Sequence, residues 1–230
     1  HEFDGDLYKG HGGTEGLKIL LDRIKQAHFP VLSANVSDSS TGKAIVPPYH
    51  IFECAGIKVG VFGVTTSQED FQRRLGLKVA DPIETAGRIV ADLEPKCDFI
   101  IALTHIGYTY DLQLAHAVPG IDAIVGGHTH TWLFQPQLYT NRTAGSPEWW
   151  VGGTIVCQAG EWGKCLGRLD LTLRPSGDHR YRVAEFSGQL IGVDSSIKPA
   201  EDVERILAGY VGHGVRVKCG DRPRCIGKPF

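Results

Sequence analysis

The sequence predicts a layered α/β domain built on a mixed sheet. Two observations lead there. Helical and strand periodicities alternate as far as Val125, and from Thr154 onward strand-like segments follow one another without an intervening helix. A third observation places chemistry on that frame. Phe99-Ile100-Ile101-Ala102-Leu103-Thr104 is closed by His105, and Ile121-Asp122-Ala123-Ile124-Val125 leads into Gly126-Gly127-His128-Thr129-His130.

Taken in order, Thr14-Glu15-Gly16-Leu17 opens a helix whose apolar positions are Leu17, Leu20, Leu21 and Ile24. Pro30 to Val36 reads as a strand. Tyr49–Cys54 and Ile57–Val64 read as a hairpin turning at Ala55-Gly56. Asp81-Pro82-Ile83-Glu84 is a helix start: an Asp cap, Pro in the first turn, and Glu at the capping-box position. That helix runs to about Leu93. A strand from Asp98 to Thr104 ends at His105, a short helix covers Asp111 to Ala117, and a strand reaches Val125. Thr154–Ala159, Leu166–Leu173 and Tyr181–Gly188 read as antiparallel strands, and Glu201–Tyr210 as a last helix. Thr140–Gly153 reads as a surface loop. Residues 1–211 are expected to form the domain and 212–230, which lack periodicity, a tail or linker.

The 230 residues are 42% hydrophobic, which suits a core, and no apolar run approaches the length of a membrane span. A formal charge of -2 with no basic field excludes an electrostatic nucleic-acid surface. Met is absent, so the chain is expected not to start at a translation start, with any signal peptide removed. Six cysteines permit three disulfides. Cys219 and Cys225, flanking a short Gly/Pro/Arg loop, are expected to bridge, whereas Cys54 and Cys97 read as small buried hydrophobes. No C-x-x-C pair suggests a zinc ribbon. The balance leans towards an oxidising compartment.

In open α/β sheets, ligands bind beyond the carboxyl ends of the strands, where His105 and His128 fall. An extended backbone would aim His128 and His130 to one side. Gly126 and Gly127 allow close approach to a bound group. Three imidazoles on one rim suit zinc, manganese or iron, although carboxylates are needed to complete a hydrolytic two-metal site. A single strand-end histidine is more often structural, and a lone H-x-H is weak. Two such sites in consecutive βα units bring the metal reading level with the structural one. Asp111 and Asp122 read as helix-start and turn residues, Asn35 as a loop-positioning residue, His116 as a helix-surface residue, and Lys164 as a strand-edge residue.

The wording of the chain then narrows the choice. H-E-F-D at His1 to Asp4, F-P-V-L-S-A-N-V at Phe29 to Val36, and G-V-F-G-V-T-T at Gly60 to Thr66 occur in that order. They are followed by T-H-I-G at Thr104 to Gly107, G-G-H-T-H at Gly126 to His130 and Q-A-G-E-W-G-K at Gln158 to Lys164. This set resembles the 5′-nucleotidase group of calcineurin-like metallophosphoesterases. The resemblance implies an α-β-β-α metallophosphoesterase sandwich with mixed sheets. It implies an enzyme that hydrolyses nucleotide phosphate esters with two divalent metals such as zinc or manganese. His105 and His128 would bind one metal and His130 would contribute to the other. His1 would face the transferred phosphoryl group, and Asp4 would orient and charge-stabilise its ring. Members of the family are mostly periplasmic, secreted or surface-anchored, and the same is expected here.

The family pattern also places ligands upstream of the H-E-F-D motif, including a bridging aspartate, and this chain starts at that motif's histidine. The domain is therefore expected to be N-terminally incomplete, to hold at most one metal, and to be inactive alone. Within the family, cyclic-nucleotide phosphodiesterase, nucleotide-sugar hydrolase and thiosulfohydrolase activities are alternatives. Outside it, the alternative is a truncated, non-catalytic binding domain.

Overall fold

The computed structural model describes residues 14–67, 75–140, 148–177 and 180–209. In chain order the elements are α1 (Thr14–Gln26), β1 (Val36–Asp38), β2 (Tyr49–Cys54), β3 (Ile57–Thr65), β4 (Leu77–Val79), α2 (Pro82–Leu93) and β5 (Phe99–His105). They continue with α3 (Tyr108–Ala117), β6 (Ala123–Val125), β7 (Gln137–Thr140), β8 (Gly153–Cys157), β9 (Cys165–Pro175), β10 (Tyr181–Gly192) and α4 (Glu201–Ala208).

A six-stranded sheet has the order β2-β3-β5-β6-β8-β7. Its inner strands β3, β5, β6 and β8 run parallel, and β2 and β7 are antiparallel edges. The sequence explains the layering. Along β5 alternate residues go to opposite faces. Ile100 and Ala102 join α2 and α3 in one core with Phe62, Val90, Leu93, Leu114 and Ile124. Phe99 and Ile101 pack on the other face with Ala123, Ile155 and Val183, beneath Leu169, Leu171 and Phe186 of the β9–β10 hairpin. Each fully buried Leu, Ile or Phe contributes roughly 1.5–3 kcal/mol. The helix-side cluster is the larger of the two and dominates stability.

Asp122 fastens the hairpin to the sheet. Its Oδ2 accepts from Ile100 N at 2.8 Å and from Arg180 Nη2 at 2.7 Å, and Arg180 Nη1 reaches Glu94 at 3.1 Å. Burial pushes the Asp122 carboxyl up to about 6, against the pull of Arg180. Asp122, expected as a turn residue, is thus the buried anion of an ion pair.

Several boundaries differ from the sequence expectation. Residues 30–35 form no strand; Ser33 N and Ala34 N make single hydrogen bonds to Pro47 O and Gly63 O, and pairing begins only at Val36. The α3 helix starts at Tyr108, three residues earlier than expected. β8 is not part of an antiparallel run with β9 and β10: it lies parallel to β6, with β7 antiparallel on its other side. Thr140 and Gly153 belong to strands. No described helix is long and apolar enough to cross a membrane. Cys165 is disulfide-bonded, and Cys54, Cys97 and Cys157 are free thiols. The expected Cys219–Cys225 bridge and the tail at 212–230 lie outside the described residues.

Candidate metal centre

His105 ends β5, and His128 lies three residues beyond β6. The last paired residues of those parallel strands are Leu103 and Val125, so both histidines emerge at the same rim. His105 Nε2 and His128 Nδ1 stand 3.3 Å apart, with the rings edge-on at 66°. Burial keeps the His105 imidazole below its ordinary pKa, and the charges of His128 and His130 add to the effect. The shift favours the neutral form, the form in which an imidazole can bind a metal. A shallow cavity of about 260 Å³ opens beside His105, lined by Ser33, Gly63, Thr65, Leu103 and Val125.

The loop that carries His128 and His130 is not extended. His128 has φ 79° and His130 φ 55°. Left-handed backbone at a non-glycine residue costs roughly 1–3 kcal/mol and persists only where the surroundings over-determine it. Gln158 does so here. Its Oε1 accepts from Thr131 N at 2.5 Å and Thr129 Oγ1 at 3.2 Å, and its Nε2 donates to Gly127 O at 3.2 Å. Thr129 Oγ1 in turn accepts from Tyr108 N, tying the loop to the start of α3.

The glycine pair is fixed by close approach. A Cβ on Gly127 would press on His105 Nδ1 at 3.2 Å, and one on Gly126 would collide with Asp111 Oδ2. Asp111 is fully buried on α3 and accepts from Thr104 Oγ1 at 2.5 Å, next to His105 in the chain. It supports the rim from beneath rather than joining it.

His130 turns to another partner. Its Nδ1 lies 2.9 Å from Glu161 Oε2, and Lys164 Nζ donates to Glu161 Oε1 at 2.8 Å. That bond and the nearby His130 hold the Glu161 carboxyl below the usual carboxylate range. Lys164, expected to serve a strand edge, also lies 4.9 Å from the Trp162 ring centroid. Asn35 behaves as a positioning residue: its amide donates to Thr65 O and Ala80 O and accepts from Thr65 N. His116 is exposed on α3 and pairs with the Tyr139 hydroxyl at 2.9 Å.

Of the sequence-predicted site, the fold brings His105 and His128 into contact and sets His130 against Glu161. His1 and Asp4 lie outside the described residues. Among the described residues no group of three or more His, Cys, Asp or Glu side chains is placed to hold a metal ion. The pair does fit one ion. Two imidazole nitrogens bound at about 2.0–2.1 Å, with ligand angles between octahedral and tetrahedral, stand about 2.8–3.4 Å apart, which includes the observed spacing of 3.3 Å. Sequence reasoning missed Gln158 and Glu161 as supports. Both lie in the Q-A-G-E-W-G-K motif, a signal legible as a signature but not as the segment after β8 that faces the histidine loop.

No protein-family model matches the chain. It is 35% identical over 197 residues to a 5′-nucleotidase of Vibrio cholerae serotype O1, covering 76% of this chain and 34% of that protein. The chain thus spans about a third of the length of that relative. Its fold superposes on a 5′-nucleotidase precursor from Thermus thermophilus with a TM-score of 0.68 at 31% identity, covering 83% of this chain and 39% of that one. It also superposes on the calcineurin-like phosphoesterase YfkN from Bacillus subtilis, with a TM-score of 0.64 at 25% identity, covering 86% and 66%.

Proposed function

The chain belongs to the 5′-nucleotidase and calcineurin-like phosphoesterase family, and from that premise we propose that it carries part of a metal-dependent hydrolase of nucleotide phosphate esters. The observation that carries this reading is the contact of His105 with His128 at adjoining parallel strand ends. In this reading the two imidazoles hold one divalent ion such as zinc or manganese, and His130 contributes to a second. His1 faces the phosphoryl group and Asp4 orients its ring. Residues 1–211 form the phosphoesterase domain and 212–230 a tail.

When bound, the metals polarise phosphoryl oxygens and lower the pKa of water. The chain's own residues do the positioning. Burial favours the neutral form of His105. Gln158 holds the loop backbone that presents His128. Gly127 lets that backbone approach the His105 ring. The ligand is a nucleotide, and the setting is periplasmic or extracellular, consistent with a disulfide-bonded Cys165.

Phosphate release from a nucleoside 5′-monophosphate, assayed on the protein that carries this chain, tests the reading. Activity should require added Mn2+ or Zn2+ and stop with chelator. Metal stabilisation of developing charge is worth several kcal/mol, so His128→Ala should slow turnover by about 100-fold or more. Hydrolysis indifferent to chelator and to His128→Ala would overturn it.

A further inference from the structure

The segment after β8 runs back along the histidine loop as its antiparallel partner. Leu133 N donates to Gln158 O at 3.2 Å, Trp132 bridges Ala159, and Gly160 N donates to Thr131 O at 3.0 Å. Continued by one step, that register puts Glu161 beside His130, where Oε2 lies 2.9 Å from Nδ1. We propose that Glu161 is a positioning residue that fixes the tautomer and direction of the His130 ring, leaving Nε2 as the only nitrogen free to bind a divalent metal.

The two side chains meet at ion-pair distance, and a carboxylate can only accept a hydrogen bond, so its presence beside Nδ1 favours the proton on that nitrogen. The neutral imidazole then has a bare Nε2 as its lone-pair donor. Carboxylate partners of this kind fix ring orientation and raise the basicity of a metal-binding histidine.

The carboxylate is itself held. Lys164 Nζ donates to Oε1 at 2.8 Å, and Lys164 N donates to Glu161 O at 3.2 Å, closing a tight turn through Trp162, whose φ is 56°. Glu161 and Lys164 are 22% and 26% exposed, so water competes weakly for the bond between them, while the His130 side chain is 52% exposed and leaves its far edge open to a ligand. Backbone pairing, ion pair and turn all converge on one placement of the His130 ring. The metal role of His130 rests on the reading above; its tautomer does not.

The test uses the full chain and the near-isosteric variant Glu161→Gln, with unchanged melting temperature as the control for folding. Long-range 15N NMR of metal-free protein at about pH 8, where imidazole is neutral, should show His130 protonated at Nδ1 and bare at Nε2. Glu161→Gln, able to accept or donate, should abolish that preference. Affinity for the Zn2+ that His130 contributes to, titrated separately from the ion at His105 and His128, should fall by about 10- to 100-fold in the variant. An unchanged tautomer overturns the proposal. So does affinity for that second ion within twofold of the parent in Glu161→Gln or in His130→Ala. The functional reading fails separately, when His105→Ala and His128→Ala leave Zn2+ binding unchanged.

Discussion

Asp111 carries a carboxyl that the fold stabilises poorly in its charged form. Its Oδ1 accepts from Thr104, and its buried Oδ2 has no hydrogen-bond partner among the described residues. Burial pushes the acid up to about 6, opposed by the Thr104 bond. An acid whose folded pKa lies above its unfolded value binds more protons when folded. Its stability contribution is present at low pH and is lost as pH rises through the folded value. The metal-free protein should therefore lose about 2 kcal/mol from this group between about pH 4 and 7. Asp122 contributes with the same sign, so the difference between parent and Asp111→Asn isolates Asp111. In urea titrations the variant should gain on the parent by about that amount over the interval; parallel pH profiles would contradict it. At this scale His105 and His128 were legible, because strand-end placement follows from local pattern. Gln158 and Glu161 were not, because their role depends on which distant segment faces the histidine loop, and sequence spacing does not encode that register.

Among the elements, α2 was the most legible. Asp81 accepts from Glu84 N at 2.7 Å with Pro82 at the first helical position, as its sequence signature requires. Asp81→Ala should cost about 1 kcal/mol, read as a shift in urea midpoint without change in slope. A midpoint equal to the parent's would show that the cap contributes nothing. β8 was found as a strand but misplaced. Gly153 to Val156 are all buried, the mark of an inner strand covered on both faces. An apolar run does not say whether its neighbours run parallel, so its position between β6 and β7 waited on the structure. Residues 30–35 failed for a related reason. Their apolar pattern suits a strand, yet Asn35 takes its bonds through its side chain and the backbone finds only isolated partners.

Among the described residues a six-stranded sheet carries α2 and α3 on one face and a long hairpin on the other, and this arrangement determines where the candidate centre lies. The alternation of helix and strand made the helical layer readable in advance. The hairpin layer required Arg180 on Asp122, a contact 58 residues apart in the chain. The hairpin packs on Phe99 and Ile101, while Leu103 and Val125, each 42% exposed, lead to the histidine rim. His105 and His128 meet at that rim, and everything proposed for function depends on their acting together on one ion. The direct measurement is Zn2+ titration calorimetry of the metal-free chain, of His105→Ala, of His128→Ala and of the double variant. A shared ion predicts that each single substitution lowers affinity at least about tenfold and that the double variant loses little more, because ligands of one site are not additive. Parent-like affinity in both single variants would contradict a shared metal site at this rim.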